Sequence, residues 1–97
     1  MNRYDSWITG HHVYQHVWTP EIGEKLDCRH DRNNKYDSRA IGVYHNATLV
    51  GHVPRELTTL FFRHLQGGGS IQVTITGRRG NTQNRGLEVP GTYVLIE

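Results

Sequence analysis

The chain has 97 residues, of which 35% are hydrophobic and 21% charged, and it contains a single cysteine, Cys28. This length suits one domain over residues 1–97 and leaves little room for a second, and one cysteine excludes an internal disulfide. The 11 Lys and Arg exceed the 9 Asp and Glu only slightly, so the positive charge indicates an anionic partner only if it is concentrated on one face.

The cellular compartment follows from what the sequence lacks. No apolar run approaches the roughly 18 residues of a membrane span, and the N-terminus has no signal-peptide core. We therefore expect an intracellular, reduced protein that is not secreted, and a nuclear one if the source is a eukaryote.

The first half of the chain predicts short strands. Apolar residues suggest a strand at 7–14, and alternation of polar and apolar residues predicts a half-buried strand at 25–29. A polar loop then leads into a β-branched and aromatic run at 40–44. Three residues join this run to a returning strand at 48–53, which is typical of a hairpin.

The second half predicts one helix and the remaining strands. Pro54 suits a first helical turn, an apolar stripe at helical spacing continues to about residue 66, and three glycines at 67–69 end the helix. Residues 70–76 alternate clearly, a polar loop covers 77–86, and two strands at 87–89 and 93–96 are separated by Pro90-Gly91.

These elements predict a mainly β fold of six or seven short strands with one inserted α-helix at about residues 54–66. A flat sheet of this size would leave open edges, so we expect closure into a small OB-like barrel. Barrels of this class commonly present one face to nucleic acid.

Metal and catalytic sites find little support. His11, His12 and His16 are close in sequence, but no Cys or acid nearby completes a typical zinc spacing. The stretch 31–37 superficially resembles a calcium loop, yet it carries Lys and Tyr where an oxygen ligand and a Gly are needed. Cys28 is expected to be a small core residue rather than a nucleophile. We predict no metal, no cofactor and no catalytic residue, and hence a protein that is not an enzyme.

Positive charge is concentrated in two places. Arg78, Arg79 and Arg85 lie in one acid-free stretch, and four cations surround the loop before strand 40–44, namely Arg29, Arg32, Lys35 and Arg39. Such clusters fit an anionic partner, although an ordinary solvated surface explains them equally well.

Two readings compete for Tyr36 and Asp37 in that loop. In the structural one, Asp37 caps backbone N–H groups of a turn and Tyr36 covers the end of the barrel. In the functional one, Tyr36 stacks on an exposed base and Asp37 accepts a hydrogen bond from a ribose hydroxyl. Arg39 and His52 would then hold a nearby phosphate.

Two linked motifs resemble the HIRAN domain. The first is Asn33-Asn34-Lys35-Tyr36-Asp37-Ser38-Arg39-Ala40-Ile41-Gly42-Val43, and the second is Leu49-Val50-Gly51-His52-Val53-Pro54-Arg55-Glu56, with Gly10-His11-His12-Val13-Tyr14 preceding both. The resemblance runs from Trp7 to Ile96. It implies a modified OB barrel that captures the free 3′ end of single-stranded DNA, in DNA repair or at replication forks, with a helicase-like or nuclease partner.

The resemblance also implies roles for individual residues. Asp37 would bond the terminal hydroxyl, Tyr36 would stack on the end base, and His52 would assist with phosphate. The first strand departs from the family pattern, since His12 replaces a permanent cation and Val13 replaces a second stacking ring. Tyr14 would face the opposite side of a regular strand.

The predicted nucleic-acid-binding residues are Tyr36, Asp37, His52, His12, Tyr14, Asn33, Asn34, Lys35 and Arg39. Weak end capture, a different nucleic acid, and compensation by Trp7 or Trp18 all stay open, as does the choice between DNA and RNA. The main alternative function is a protein-interaction adaptor on the same barrel that has lost the DNA-end site.

Overall fold

The computed structural model describes residues 2–81, 84 and 86–97, and in these residues it shows six strands and two helices. In chain order they are β1 (Asn2–Ile8), α1 (His11–Tyr14), β2 (Lys25–His30), β3 (Ile41–His45), β4 (Thr48–His52), α2 (Arg55–Gln66), β5 (Ser70–Ile75) and β6 (Val89–Ile96). The prediction of a mainly β fold with a helix inserted after the fourth strand is confirmed.

All six strands form one antiparallel sheet in the order β1-β6-β5-β2-β3-β4. The predicted closure into a barrel is wrong in detail. Among the described residues, the two edge strands meet through a single bridge, in which Thr9 and His52 exchange backbone hydrogen bonds of 2.8 and 3.0 Å. The chain leaves this edge at Gly10, whose φ of 76° turns it into α1, so no longer ladder can form.

Gly51 makes this single bridge possible. A Cβ atom at position 51 would collide with the Ile8 side chain and lie 3.0 Å from the Thr9 carbonyl oxygen. The absence of a side chain therefore lets the end of β1 pass directly over β4. Because His52 follows Gly51, the close approach also fixes the position of His52.

The first predicted strand, 7–14, is wrong over most of its length. The strand is Asn2–Ile8, and residues 11–14 form a helical turn in which the Val13 N–H bonds the Gly10 carbonyl at 3.0 Å. Residues 2–6 are mainly polar because β1 is an edge strand, so they carry no apolar signal. Pairing with β6 over seven residues makes them a strand nevertheless.

The predicted strand at 93–96 is part of a longer strand, β6, which begins at Val89 and runs through Pro90 and Gly91. Of the predicted strand at 87–89, only Val89 belongs to β6. Pro90 keeps a ladder role without an N–H, since its carbonyl accepts the Thr76 N–H at 3.0 Å. Gly91 is needed because a Cβ there would lie 2.7 Å from a methyl group of Val73.

The core lies between the concave face of the sheet and α2. Phe61 of α2 is fully buried and packs edge-to-face on Tyr93 and Tyr4, with ring centroids 5.3 and 5.5 Å apart. Not every apolar residue of α2 is buried: Leu60 is 44% exposed, whereas Thr58 is buried. Cys28 is buried as predicted, and desolvation raises the pKa of its thiol.

Candidate functional site

The loop between β2 and β3, residues 31–40, is here called the motif loop, and its own side chains hold it in shape. The Asn34 Oδ1 atom accepts the backbone N–H groups of Tyr36 and Asp37, both at 2.9 Å. The Asp37 Oδ1 atom accepts the N–H of Arg39 at 2.9 Å. The Asp31 N–H closes the loop on the Ala40 carbonyl at 2.8 Å. Asn34 and Asp37 therefore act as turn-forming residues, and the loop is a fixed platform.

Tyr36 projects from this platform with its side chain 90% exposed. Its backbone N–H is fixed by Asn34, so the ring stands on an ordered segment while its surface stays open to solvent. This arrangement leaves an aromatic face available to a flat ligand such as a nucleobase. It does not fit the reading in which Tyr36 covers the end of the barrel.

The motif loop and the start of α2 enclose an open depression that we call the loop–helix cleft. It has two adjoining parts of about 420 and 200 Å³, and both are lined by Tyr36, Asp37, Arg55 and Thr58. The larger part adds Ser38, Arg39 and Thr59, and the smaller adds Thr9, Asn34, Ala40, His52 and Val53. Five predicted site residues thus meet at one cleft, namely Asn34, Tyr36, Asp37, Arg39 and His52.

The cleft combines an anionic acceptor with two cations. Asp37 lies half-buried on its wall, whereas Arg39 and Arg55 are exposed on either side. Arg55 opens α2, whose N-terminal end carries the partial positive charge of the helix dipole. A phosphodiester strand would find both cations here, and a terminal hydroxyl would find an acceptor in Asp37.

Sequence reasoning missed Arg55 as a site residue, together with Thr9, Thr58 and Thr59. Arg55 follows His52 by only three positions at a predicted helix start, so the spacing alone places it near the motif. Thr9 reaches the cleft through the bridge to His52, which no local sequence pattern reveals.

His52 is paired with Asp31, which the sequence did not single out. The His52 Nε2 atom lies 2.8 Å from the Asp31 Oδ2 atom. Burial opposes the charge of Asp31, but hydrogen bonds from His52 and Asn34 and attraction to His52 outweigh it and lower the pKa of the carboxyl. The Tyr14 ring stands beside His52 with centroids 6.4 Å apart.

The helical turn α1 changes the expectation for the first-strand residues. Tyr14, predicted to face away from the site, lies on the His52 side and is half-buried. Burial, with a smaller contribution from Asp31, raises the pKa of its hydroxyl.

His12 is exposed and lies against the position of Gly86 rather than on the cleft wall. Asn33 and Lys35 are exposed on the motif loop outside the cleft lining.

Neither tryptophan supplies a second ring at the cleft. Trp18 is 5% exposed in the core, and its Nε1–H donates to Glu24 at 3.1 Å. Trp7 lines a separate depression beside Pro90. Val13, at the position where the family resemblance implies a second stacking ring, is 63% exposed.

The second basic cluster lies beside α1. Arg79 donates from Nη1 to the Nε2 atom of His11 at 3.2 Å, and Arg78 is exposed. Arg85 is outside the described residues. Neither Arg78 nor Arg79 lines the loop–helix cleft, so this cluster is a neighbouring surface and not part of the cleft itself.

In the part of the chain that the structure describes, no three His, Cys, Asp or Glu side chains come together in a way that would hold a metal ion. The described helices are also too short or too polar to cross a membrane.

Comparison with solved structures identifies the fold. The crystal structure of the HIRAN domain of human HLTF superposes with a TM-score of 0.77 at 21% identity, covering 96% of this chain and 74% of that one. A structure of a protein from Lactobacillus plantarum gives a TM-score of 0.65 at 15% identity, covering 99% and 98% of the two chains. At these identities the likeness concerns the fold alone. No curated protein matches the sequence.

The family assignment rests on the sequence itself. The profile of the HIRAN domain matches residues 2–94, which include the whole sheet up to β6, both motifs and the loop–helix cleft. The chain belongs to the HIRAN domain family.

Proposed function

We propose that this HIRAN domain binds single-stranded DNA and recognises a free 3′-hydroxyl end at the loop–helix cleft. The observation that carries the proposal is the placement of Tyr36, 90% exposed on an ordered loop, at a cleft that also contains Asp37, Arg39 and Arg55. Stacking on a base needs an open aromatic face, and backbone phosphates need nearby cations.

Asp37 supports recognition of the strand end in particular. Its Oδ1 atom already accepts the Arg39 N–H, but an ionised carboxylate has further lone pairs and can accept from a hydroxyl as well. A carboxylate repels internal phosphates and a 3′-phosphate, whereas a 3′-hydroxyl can donate to it. The structural and the functional readings of Asp37 are therefore compatible.

The role is one of binding, not catalysis. By its family, we place the protein in DNA repair or replication-fork processing, beside a helicase-like or nuclease protein. The described residues around the cleft offer no thiol, because Cys28 is buried in the core.

The second candidate is a protein-interaction adaptor that has lost the DNA-end site. One observation favours it: Val13 and Val17 are 63% and 57% exposed on and after α1, where a DNA site would gain from a ring or a cation. An adaptor of this kind would bind single strands weakly and without a steep salt dependence.

Salt titration of single-strand binding separates the two candidates. We expect the logarithm of the affinity to fall linearly with the logarithm of salt concentration, with a slope of about −0.7 per phosphate contact. Fluorescence anisotropy with a short labelled strand measures this slope. A flat response, or no binding at low salt, would favour the adaptor.

A further inference from the structure

The pair formed by Asp31 and His52 connects the motif loop to β4. The Nε2–Oδ2 distance is 2.8 Å, and the two side chains are only 13% and 24% exposed, Asp31 being the more buried. Asn34 directs its side-chain amide at the same Oδ2 atom from 3.4 Å, and the backbone N–H of Asn33 also bonds the carboxylate. Asp31 is thus held from several sides and fixes His52 in turn.

This geometry decides which nitrogen of His52 carries a proton. The bonds that Asp31 accepts favour its ionised form, and an ionised carboxylate can only accept hydrogen bonds. The proton between the two groups therefore belongs to His52 Nε2. A neutral imidazole with Nε2–H has an unprotonated Nδ1, which is an acceptor.

Phosphate oxygens are acceptors too, so neutral His52 in this tautomer has no proton to offer them from Nδ1. The doubly protonated ring donates from both nitrogens and carries a charge. It can remain bonded to Asp31 through Nε2 and bind phosphate through Nδ1. Protonation of His52 then accompanies phosphate binding.

The other groups near His52 come from several elements. Asp37 and Asn34 approach from the motif loop, Arg55 from α2 and Thr9 from the end of β1. Tyr14 of α1 faces the ring. Tyr44 of β3 lies near Asp31. Burial, and then the negative charge of Asp31, raise the pKa of the Tyr44 hydroxyl. Both phenols have raised pKa values, so they are neutral near neutral pH and their charge does not change beside His52.

We infer that Asp31 is a positioning residue of the proposed DNA site. Asp31 fixes the tautomer of His52, so His52 binds phosphate only in its protonated form. The inference rests on the proposed function. It implies that single-strand affinity rises as the pH falls, because only the doubly protonated ring can donate to phosphate from Nδ1.

The test measures binding of one short 3′-hydroxyl strand between about pH 8 and about pH 6 at constant ionic strength. The variants are Asp31→Asn, His52→Gln and the double variant. Asp27→Asn is the matched control, because Asp27 is an exposed acid on β2 and its replacement removes the same charge.

For wild type we expect the affinity to fall by up to about tenfold for each unit by which the pH rises, which is the limit for one linked proton. His52→Gln should remove most of this dependence. Asp31→Asn should weaken binding about three- to tenfold at low pH and make affinity depend less on pH. An amide can either donate to or accept from His52, so it does not fix the tautomer, and it has no charge to pair with a protonated ring. Asp27→Asn should bind as tightly as wild type or more tightly, with the wild-type profile. In the His52→Gln background, Asp31→Asn should add no loss, as coupled positions require.

Imidazole ¹⁵N NMR of the free wild-type protein tests the geometry even if Asp31→Asn fails to fold. Nε2–H with an unprotonated Nδ1 is expected at about pH 8. The opposite tautomer, or an Asp31→Asn profile equal to that of Asp27→Asn, would overturn the inference and leave the proposed function intact. Absence of single-strand binding at every pH would overturn the proposed function, and this inference with it.

Discussion

Tyr36 is the residue whose surroundings most clearly separate a binding role from a structural one. It is 90% exposed, so its removal deletes almost no packing from the folded state. We predict that Tyr36→Ala weakens single-strand binding by about 1–3 kcal/mol, the range for one stacked base. The lower end is expected, because Val13 stands where the family resemblance implies a second ring, and Trp18 is buried.

Tyr36→Phe should bind nearly as wild type, since stacking does not use the hydroxyl. Ile22→Ala is the control, because Ile22 is similarly exposed, at 67%, before β2 and away from the cleft lining. Anisotropy titration at fixed salt measures all three variants. Equal affinity of Tyr36→Ala and wild type would remove the ring from the site.

Local motifs were enough to place Tyr36 and Asp37 together on one short loop, because the Asn and Asp residues of that loop form its turns. The Asp31–His52 pair was not predictable in the same way. The two residues are 21 positions apart, and the pairing of β3 with both β2 and β4 brings them together.

At the level of single elements, helix α2 provides an internal comparison between two arginines. Arg55 lies at its start on the cleft wall, and Arg63 lies in its last turn on a different depression. We predict that Arg55→Ala weakens single-strand binding and lowers the magnitude of the salt slope by about 0.7, the value for one phosphate contact on a single strand.

Arg63→Ala removes the same charge from the same helix and should change neither quantity beyond a small long-range effect. Salt titrations of both variants against wild type measure the difference. Equal losses for the two variants would mean that α2 acts only through net charge, and the cleft would lose its special role.

Helix α2 was predictable because Pro54, Glu56 and the glycines after Gln66 mark its ends and an apolar stripe marks its face. The short α1 was not. Its residues carry β-branched and aromatic side chains that suit a strand, and the positive φ of Gly10 decides the outcome. Edge strand β1 was equally hidden, since pairing with β6 and not apolar alternation forms it.

For the whole molecule, the fold class followed largely from the alternation of polar and apolar residues in β2 and β5, where buried and more exposed side chains alternate along the strand. Whether the sheet closes into a barrel could not be predicted from the sequence, because closure depends on how far the two edge strands run side by side. The bridge between Thr9 and His52 is the point where the edges meet, and it lies at the cleft. Sheet geometry and site geometry are therefore linked through Gly51.

The stability of the fold should depend on the buried His11. Desolvation, then the positive charges of Arg79 and His12, lower the pKa of this imidazole in the folded state. The unfolded chain therefore takes up the proton more readily, and the contribution of His11 is full above about pH 6.5 and declines as the pH falls toward the folded value. Thermal denaturation of wild type should show a falling melting temperature between about pH 7 and about pH 5.

His11→Gln should flatten that decline, whereas His16→Gln, at an exposed position, should leave it unchanged. Melting curves of the three proteins at each pH give the comparison. A decline of the same size in His11→Gln would show that other groups control the acid sensitivity.

Recognition of a 3′-hydroxyl end through Asp37 is the central claim, and end discrimination tests it most directly. One short strand, carrying either a 3′-hydroxyl or a 3′-phosphate, is titrated with wild type and Asp37→Asn by fluorescence anisotropy. A charge-assisted hydrogen bond contributes about 1.5–3 kcal/mol, so wild type should prefer the hydroxyl strand by roughly tenfold or more. Asp37→Asn keeps an acceptor for the Arg39 N–H, so it should fold normally and lose most of this preference. Equal binding of the two strands by wild type would contradict the claim.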